Sequence, residues 1–171
     1  QQRAVMFALA ATSIGCLLAK FYGVASMRLM VAFVGVPATI VMMLWWLWDM
    51  GGVTRREFAM MVWRGAMGGF VASIVYDLYR VPFVLTGMPI FKVFAEFGTL
   101  ITGLPKDHWG AHAAGWIYHF SNGITFGIMY VMLAWKRSWM WAIGWGVFLE
   151  VMMLVTPYTK MFALPMTPKF L

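Results

Sequence analysis

Charged residues are scarce in this sequence. Only 11% of its 171 residues are Asp, Glu, Lys or Arg, whereas 63% are hydrophobic. A soluble domain carries roughly 25% charged residues, so this chain has too few polar side chains to cover a globule in water. The composition excludes an ordinary soluble enzyme and predicts a multi-pass integral membrane protein, with lipid as the solvent for most of the chain.

Acidic residues are scarcer than basic ones. The chain has 6 Asp and Glu against 13 Lys and Arg, which gives a formal net charge of +7. In a soluble protein this excess would suggest a nucleic-acid partner. In a membrane protein, Lys and Arg gather at helix ends beside anionic headgroups. We therefore expect the lipid bilayer as a partner and no nucleic acid.

Cysteine and the common catalytic signatures are almost absent. Cys16 is the single cysteine, which excludes a disulfide framework within the chain and any CxxC motif. The sequence has no G-x-S-x-G, glycine-rich phosphate loop, dinucleotide-binding fingerprint or HExxH. We therefore lean towards a chain that is not an enzyme by itself.

Long apolar runs, in contrast, are abundant. Five of them approach the roughly 20 residues that a membrane-spanning helix needs. Pro37 is predicted to kink the second run, and the third is predicted to stop before Pro82. We predict one all-α integral membrane domain over residues 1–171. Its spans cover about 4–22, 29–48, 56–80, 110–135 and 139–157, and an extended tail covers 158–171.

Residues 89–103 follow a different pattern from the spans. Their apolar side chains fall on one side of a helix, and Lys92, Glu96 and Thr99 fall on the other. This is typical of an amphipathic helix that lies in the membrane interface. We predict such an interfacial helix between the third and fourth spans, with a re-entrant segment as the alternative.

Two short stretches are rich in small residues. "RGAMGG" brings Gly65, Gly68 and Gly69 together in the third span, and "NGITFG" lies in the fourth. Small residues let helix backbones approach closely in lipid, so both stretches predict tight helix packing. Thr54 and Glu57 have capping-box spacing, which predicts that the third helix begins near Arg55.

Aromatic and basic residues mark the predicted ends of the spans. Seven of them are predicted interface anchors: Trp45, Trp46, Trp48, Arg55, Arg56, Lys136 and Arg137. With five spans, Arg3 joins the four basic anchors on one side of the membrane. The other side carries Lys20, Arg28, Arg80, Lys92, Lys106, Lys160 and Lys169. This distribution is too even to orient the chain.

All three histidines lie in one stretch, "HWGAHAAGWIYHFSNG", of residues 108–123. On a helix with about 100° per residue, His112 lies about 40° and His119 about 20° from the direction of His108. The three therefore share one face of the fourth span. Ionisable side chains in membrane spans usually face the bundle interior or water, which makes this face a candidate site.

Other polar residues can join this face. The fifth span returns antiparallel after a tight turn, which predicts that Glu150 lies level with Asn122. Asp77, near the end of the third span, joins them if the third helix neighbours the fourth. The predicted buried polar pocket therefore consists of Asp77, His112, His119, Asn122 and Glu150.

Imidazole and carboxylate groups suit zinc, iron or copper. His112 and His119 lie about 10 Å apart along the helix axis, which is too far for one ion. A metal would therefore use His108 with His112, or His119 with Glu150. A haem held by two histidines needs them on facing helices, so haem is less favoured than a metal, although His–Met ligation remains open. The cofactor stays unassigned.

Three functional hypotheses follow. The leading one is a small integral subunit or accessory protein of a larger membrane complex, with other membrane subunits or further copies of itself as partners. The second is a metal- or haem-dependent membrane oxidoreductase subunit that uses His112, His119 and Glu150. The third is a proton-coupled transporter of a small solute.

Overall fold

The computed structural model describes residues 1–52 and 55–158, which are helical and contain no strand. This confirms the predicted all-α class. Thr54 of the expected capping box and the predicted extended tail beyond Tyr158 lie outside the described residues. The elements are α1 (Gln2–Phe21), α2 (Met27–Met30), a π-helical turn (Val31–Gly35), α3 (Val36–Met50), α4 (Arg56–Leu85), α5 (Lys92–Thr102), α6 (Trp109–Ala134) and α7 (Trp139–Val155).

Among the described residues, three helical stretches are long and apolar enough to cross a membrane: Gln2–Phe21, Met27–Met50 and Arg56–Leu85. α7 is apolar but shorter. Helices form at all five predicted spans. That α6 and α7 also cross the membrane stays a prediction, and so does the count of five spans. The starts of α1 and α4 and the end of α6 meet at one end of the bundle. We call it the Arg55 end, and the opposite end the Arg80 end.

The stretch Met27–Met50 is locally irregular just before Pro37, where the sequence predicts a kink. Proline has no backbone N–H, and its ring crowds the carbonyl group four residues earlier. The π-helical turn Val31–Gly35 stands directly before this position, and such turns accommodate an interrupted hydrogen-bond ladder. At Gly35 an added Cβ would lie 3.2 Å from Cys16 Sγ, so α1 packs closely against this turn.

The predicted end of the third helix before Pro82 is wrong. α4 continues through Pro82 and ends at Leu85, with Thr86 as its C-cap. Proline removes only one hydrogen bond from a helix, and within membrane bundles this loss is tolerated.

α6 is the central helix, and glycines let α4 contact it backbone to backbone. A Cβ added at Gly69 would overlap the carbonyl oxygen of Gly123, and one at Gly127 would overlap that of Gly65. The predicted tight packing of both small-residue stretches is therefore confirmed. Gly68 does not take part, since a Cβ there would meet nothing within 4 Å.

A second glycine contact joins α5 to α6. A Cβ added at Gly98 would overlap the carbonyl oxygen of Ala111, and one at Gly115 would overlap that of Phe94. The apolar side of α5 is buried against α6, with Phe94 only 2% exposed, while Glu96 on the polar side pairs with Lys106. The predicted amphipathic helix is therefore confirmed, and its apolar side packs against α6. Its position in the membrane interface stays a prediction.

The apolar core has two parts. One lies towards the Arg55 end and is rich in methionine, a flexible side chain that fills irregular gaps. Its buried members include Met6, Met42, Met61, Val62, Ile128, Met129 and Met132. The other lies towards the Arg80 end and contains Leu17, Met27, Val93, Phe94, Phe97 and Tyr118.

We expect the substitution Gly98→Ala to destabilise the fold. Its new methyl group would collide with backbone rather than with a movable side chain, and overpacking of this kind typically costs about 1–3 kcal/mol. Gly68→Ala is the matched control, because it adds the same methyl group in open space. Thermal unfolding in detergent should show a lower midpoint for Gly98→Ala alone; equal midpoints for the two variants would contradict the contact.

Candidate functional site

A buried carboxylate–imidazole pair joins α4 to α6. Asp77 continues the α4 stripe of Gly65, Gly69 and Ser73, which recurs every four residues and faces α6. Its Oδ2 atom lies 2.9 Å from Nε2 of His119. The two side chains are only 12% and 15% exposed. The structure thus confirms that the third and fourth predicted helices are neighbours, which the sequence could only assume.

Aromatic rings enclose His119. The Phe94 ring of α5 stacks on the imidazole with the ring centroids 4.3 Å apart. Trp116 approaches it edge-on at 5.9 Å, and Phe120 lies at 5.2 Å. These contacts fix the orientation of the imidazole, so that Nε2 points towards Asp77. The sequence does not reveal this enclosure, because Phe94 comes from a different helix.

Arg80 lies one turn beyond Asp77 on α4. Its guanidinium is 3.9 Å from Asp77 Oδ1 and stacks over the Tyr76 ring, with 4.8 Å to the ring centroid. Asp77 Oδ1 is buried and accepts no hydrogen bond from the described residues. Asp77 is therefore held by one hydrogen bond to His119 and by the nearby charge of Arg80.

Glu150 of α7 approaches α4 rather than Asn122. It is exposed, and the Tyr76 side chain of α4 lies close enough to feel its charge. The Tyr158 side chain, which follows α7, interacts electrostatically with both Glu150 and Arg80. Burial raises the pKa of Tyr158 to about 12; Glu150 adds to this rise and Arg80 opposes it. The Tyr158 hydroxyl therefore keeps its proton near neutral pH.

Asn122 belongs to a separate polar group that joins α6 to α1. The Ser13 hydroxyl donates a hydrogen bond of 2.7 Å to Asn122 Oδ1, and the Tyr118 hydroxyl donates one of 2.8 Å to the Ser13 carbonyl oxygen. The expected meeting of Asn122 with Glu150 does not occur, because α7 makes few contacts with α6. The roles of Ser13 and Tyr118 were not predicted, since single hydroxyl groups in apolar runs carry no distinctive pattern.

The other two histidines lie apart from His119. His108 is the exposed N-cap of α6, where its Nδ1 atom accepts a hydrogen bond from the Gly110 N–H at 3.0 Å. His112 is exposed as well, although the neighbouring Ala111 is fully buried. Within residues 1–52 and 55–158, no three His, Cys, Asp or Glu side chains converge as metal ligands would. His112, His119 and Glu150 are thus not brought together.

The tryptophans near the Arg55 end connect helices as well as marking a surface. Trp46 Nε1 donates a hydrogen bond of 3.2 Å to the Ala59 carbonyl oxygen, and its ring stacks on Trp63 at 5.7 Å. Trp45 is half-buried, whereas Trp48 and the basic anchors are exposed. Asp49, which follows Trp48, is only 1% exposed. Its burial was not predicted, because the predicted span ends at residue 48 whereas α3 continues to Met50.

Comparison with protein-family models, with curated proteins and with solved structures finds no match for this chain. Its function is therefore inferred from its own side chains. The Asp77–His119 pair can lock α4 against α6, and carboxylate–imidazole pairs in membranes can also hold and pass protons. The predicted five-residue pocket divides into this pair, a Glu150 group beside it, a separate Asn122 group and an exposed His112.

We expect His119→Ala and Asp77→Ala each to lower the free energy of unfolding by about 1–3 kcal/mol, because either change leaves a buried polar partner unsatisfied. His112→Ala removes the same ring from an exposed position of the same helix, so it should have almost no effect. Unfolding of the single and double variants in detergent measures the coupling, which we expect at about 1 kcal/mol. Additive effects of the two substitutions would show that the pair does not join the helices.

Proposed function

We propose that this protein is a non-catalytic integral subunit or accessory protein of a membrane complex, and that α7 is the helix it presents to a partner. The observation that carries the proposal is the exposure of α7. None of its 17 residues is buried, although each of the other helices longer than ten residues buries at least three.

An apolar groove separates α7 from α6 and supports this proposal. It has a volume of about 490 Å³ and lies along the first half of α7. Gly144 lines it, and a Cβ added there would meet nothing within 4 Å. The other lining residues are Tyr130, Leu133, Ala134, Met140, Trp141, Trp145 and Phe148.

Lipid tails could cover an apolar helix, but two features of α7 favour a protein helix. Gly144 and Gly146 are both open, and glycines on membrane helices allow close approach of a second backbone. In α4, α5 and α6 most glycines contact a neighbouring helix of the chain, with Gly68 as an exception. Glu150 is an exposed carboxylate on the same helix, and carboxylates in membrane helices rarely face lipid. We therefore infer a transmembrane helix of another subunit as the occupant.

Gly144→Leu tests this function directly. The leucine side chain has room in the isolated chain, so the thermal unfolding midpoint in detergent should stay close to that of the native protein. It fills the groove, so we expect loss of the partner. The matched control is Gly68→Leu, which places the same side chain at an open position of α4.

The measurement is photo-crosslinking in native membranes with a crosslinking residue at position 147 of α7, and at position 40 of α3 for comparison. We expect one discrete adduct from position 147, lost in Gly144→Leu and kept in Gly68→Leu. An adduct of twice the chain mass would identify the partner as a second copy. Proof that the chain is a monomer in its native membrane would overturn the proposal.

The proton-coupled transport hypothesis has one favouring observation, the buried Asp77–His119 pair. The oxidoreductase hypothesis has none of this kind, since His112 and Glu150 do not reach His119. Between the pair and the Arg55 end lies the methionine-rich core, whose aliphatic and thioether side chains do not carry protons. We therefore rank transport after the subunit function.

If the chain transports protons, Asp77→Asn should abolish proton flux, because an amide cannot accept a proton from His119 near neutral pH. The measurement is the decay of a pH gradient across proteoliposomes that contain the purified chain. His112→Gln is the control, since it changes an exposed imidazole of the same helix. Equal flux in Asp77→Asn and the native chain would remove the transport hypothesis.

A further inference from the structure

A cleft opens at the Arg55 end of the bundle, far from the Asp77–His119 pair. It has a volume of about 690 Å³ and lies between the start of α1, the start of α4 and the end of α6. This volume is typical of pockets for small molecules, which range over about 300–1,000 Å³. Its lining consists of Gln1, Gln2, Arg3, Arg55, Glu57, Phe58, Met61 and Trp135.

The Arg55 end is strongly basic. Among the described residues it carries Arg3, Arg55, Arg56, Arg64, Lys136 and Arg137, with only Asp49 and Glu57 as acidic side chains. The Arg80 end is nearly balanced, with Lys20, Arg28, Arg80, Lys92 and Lys106 beside Asp77, Glu96, Asp107 and Glu150. Every ion pair of the described chain lies at the Arg80 end. Arg3 and Arg55 are therefore available to an anion from outside the chain.

The cleft is polar on one part of its lining and apolar on the other. Arg3, Arg55 and Glu57 are exposed, so two guanidinium groups stand against one carboxylate, whereas Met61 is buried and Phe58 and Trp135 are half-buried. The Arg64 guanidinium lies 5.8 Å from the centroid of the Trp135 ring and adds positive charge beside the apolar part. An occupant that matches this lining is anionic at one end and apolar at the other.

We propose that this cleft binds an anionic phospholipid. Arg3 and Arg55 bind the phosphate, because the planar guanidinium group donates two parallel hydrogen bonds to phosphate oxygens. Phe58, Met61 and Trp135 contact the glycerol backbone and the first carbons of the acyl chains. A phospholipid is favoured over free phosphate because the apolar surface has no role with an inorganic ion, and because helices apolar enough to cross a membrane start or end at this cleft.

Spin-labelled lipids test the proposal in reconstituted membranes. The full chain is placed in phosphatidylcholine vesicles that contain either labelled phosphatidylglycerol or labelled phosphatidylcholine, and electron paramagnetic resonance measures the motionally restricted fraction of each. We expect the native chain to select phosphatidylglycerol. The double variant Arg3→Gln with Arg55→Gln should lower the relative association constant about tenfold, since each basic residue near a lipid surface contributes a several-fold factor.

The control is the double variant Lys136→Gln with Arg137→Gln. It removes the same charge from the same end, but neither residue lines the cleft, so the selectivity should remain. Equal losses in both double variants would show a diffuse surface field instead of a site and would overturn the proposal. Absence of selectivity in the native chain would do the same, as would full competition by free inorganic phosphate. Circular dichroism of each variant verifies that its helices are intact.

Discussion

Close contact between helix backbones at the glycines of α6 is the constraint on which the rest of this structure depends. Lipid tails are as apolar as leucine, so apolar side chains alone give membrane helices little reason to associate. Gly123 and Gly127 bring α4 onto α6, and Gly115 brings α5 onto it. Dispersion contacts and the close approach of backbone dipoles can then hold the bundle together.

The buried polar pair is a consequence of this approach. Asp77 and His119 have short side chains, so their 2.9 Å contact requires backbones that are already close. Glycine contacts alone do not set the register between α4 and α6. The pair sets it, because the hydrogen bond between Asp77 and His119 has good geometry in only one register. The second contact, between α5 and α6, brings Phe94 over the imidazole and completes its enclosure.

The remaining features lie at the two ends of the bundle and on α7, a helix that buries none of its residues. The ion pairs of the described residues all lie at the Arg80 end. The Arg55 end has unpaired arginines around an open cleft, and α7 has an open groove. These open regions are the basis of the two proposals, an anionic phospholipid in the cleft and a helix of another subunit against α7.

The sequence by itself determined the all-α class, the approximate position of the helices and the tight packing of the glycine stretches in α4 and α6, but not the glycine contact between α5 and α6. These follow from local properties, such as the length of apolar runs, the spacing of small residues and the scarcity of charge. It also placed Asp77 and His119 on inward faces, since helical period relates residues of one helix to each other. The predicted end of the third helix before Pro82 was wrong, because the steric preference of the residue before proline is weak compared with the packing of the whole helix and proline removes only one hydrogen bond.

Only the tertiary structure decided which polar groups meet. Asn122 bonds to Ser13 of α1, and Glu150 turns towards Tyr76 of α4, although the antiparallel turn before α7 suggested that these two residues would face each other. His112 and His119 share a helical face in the sequence, but only His119 lies where α4 and α5 both cover α6. The physical reason is that helical period fixes directions within one helix, whereas the distance and rotation of the next helix depend on packing between side chains that are remote in the chain.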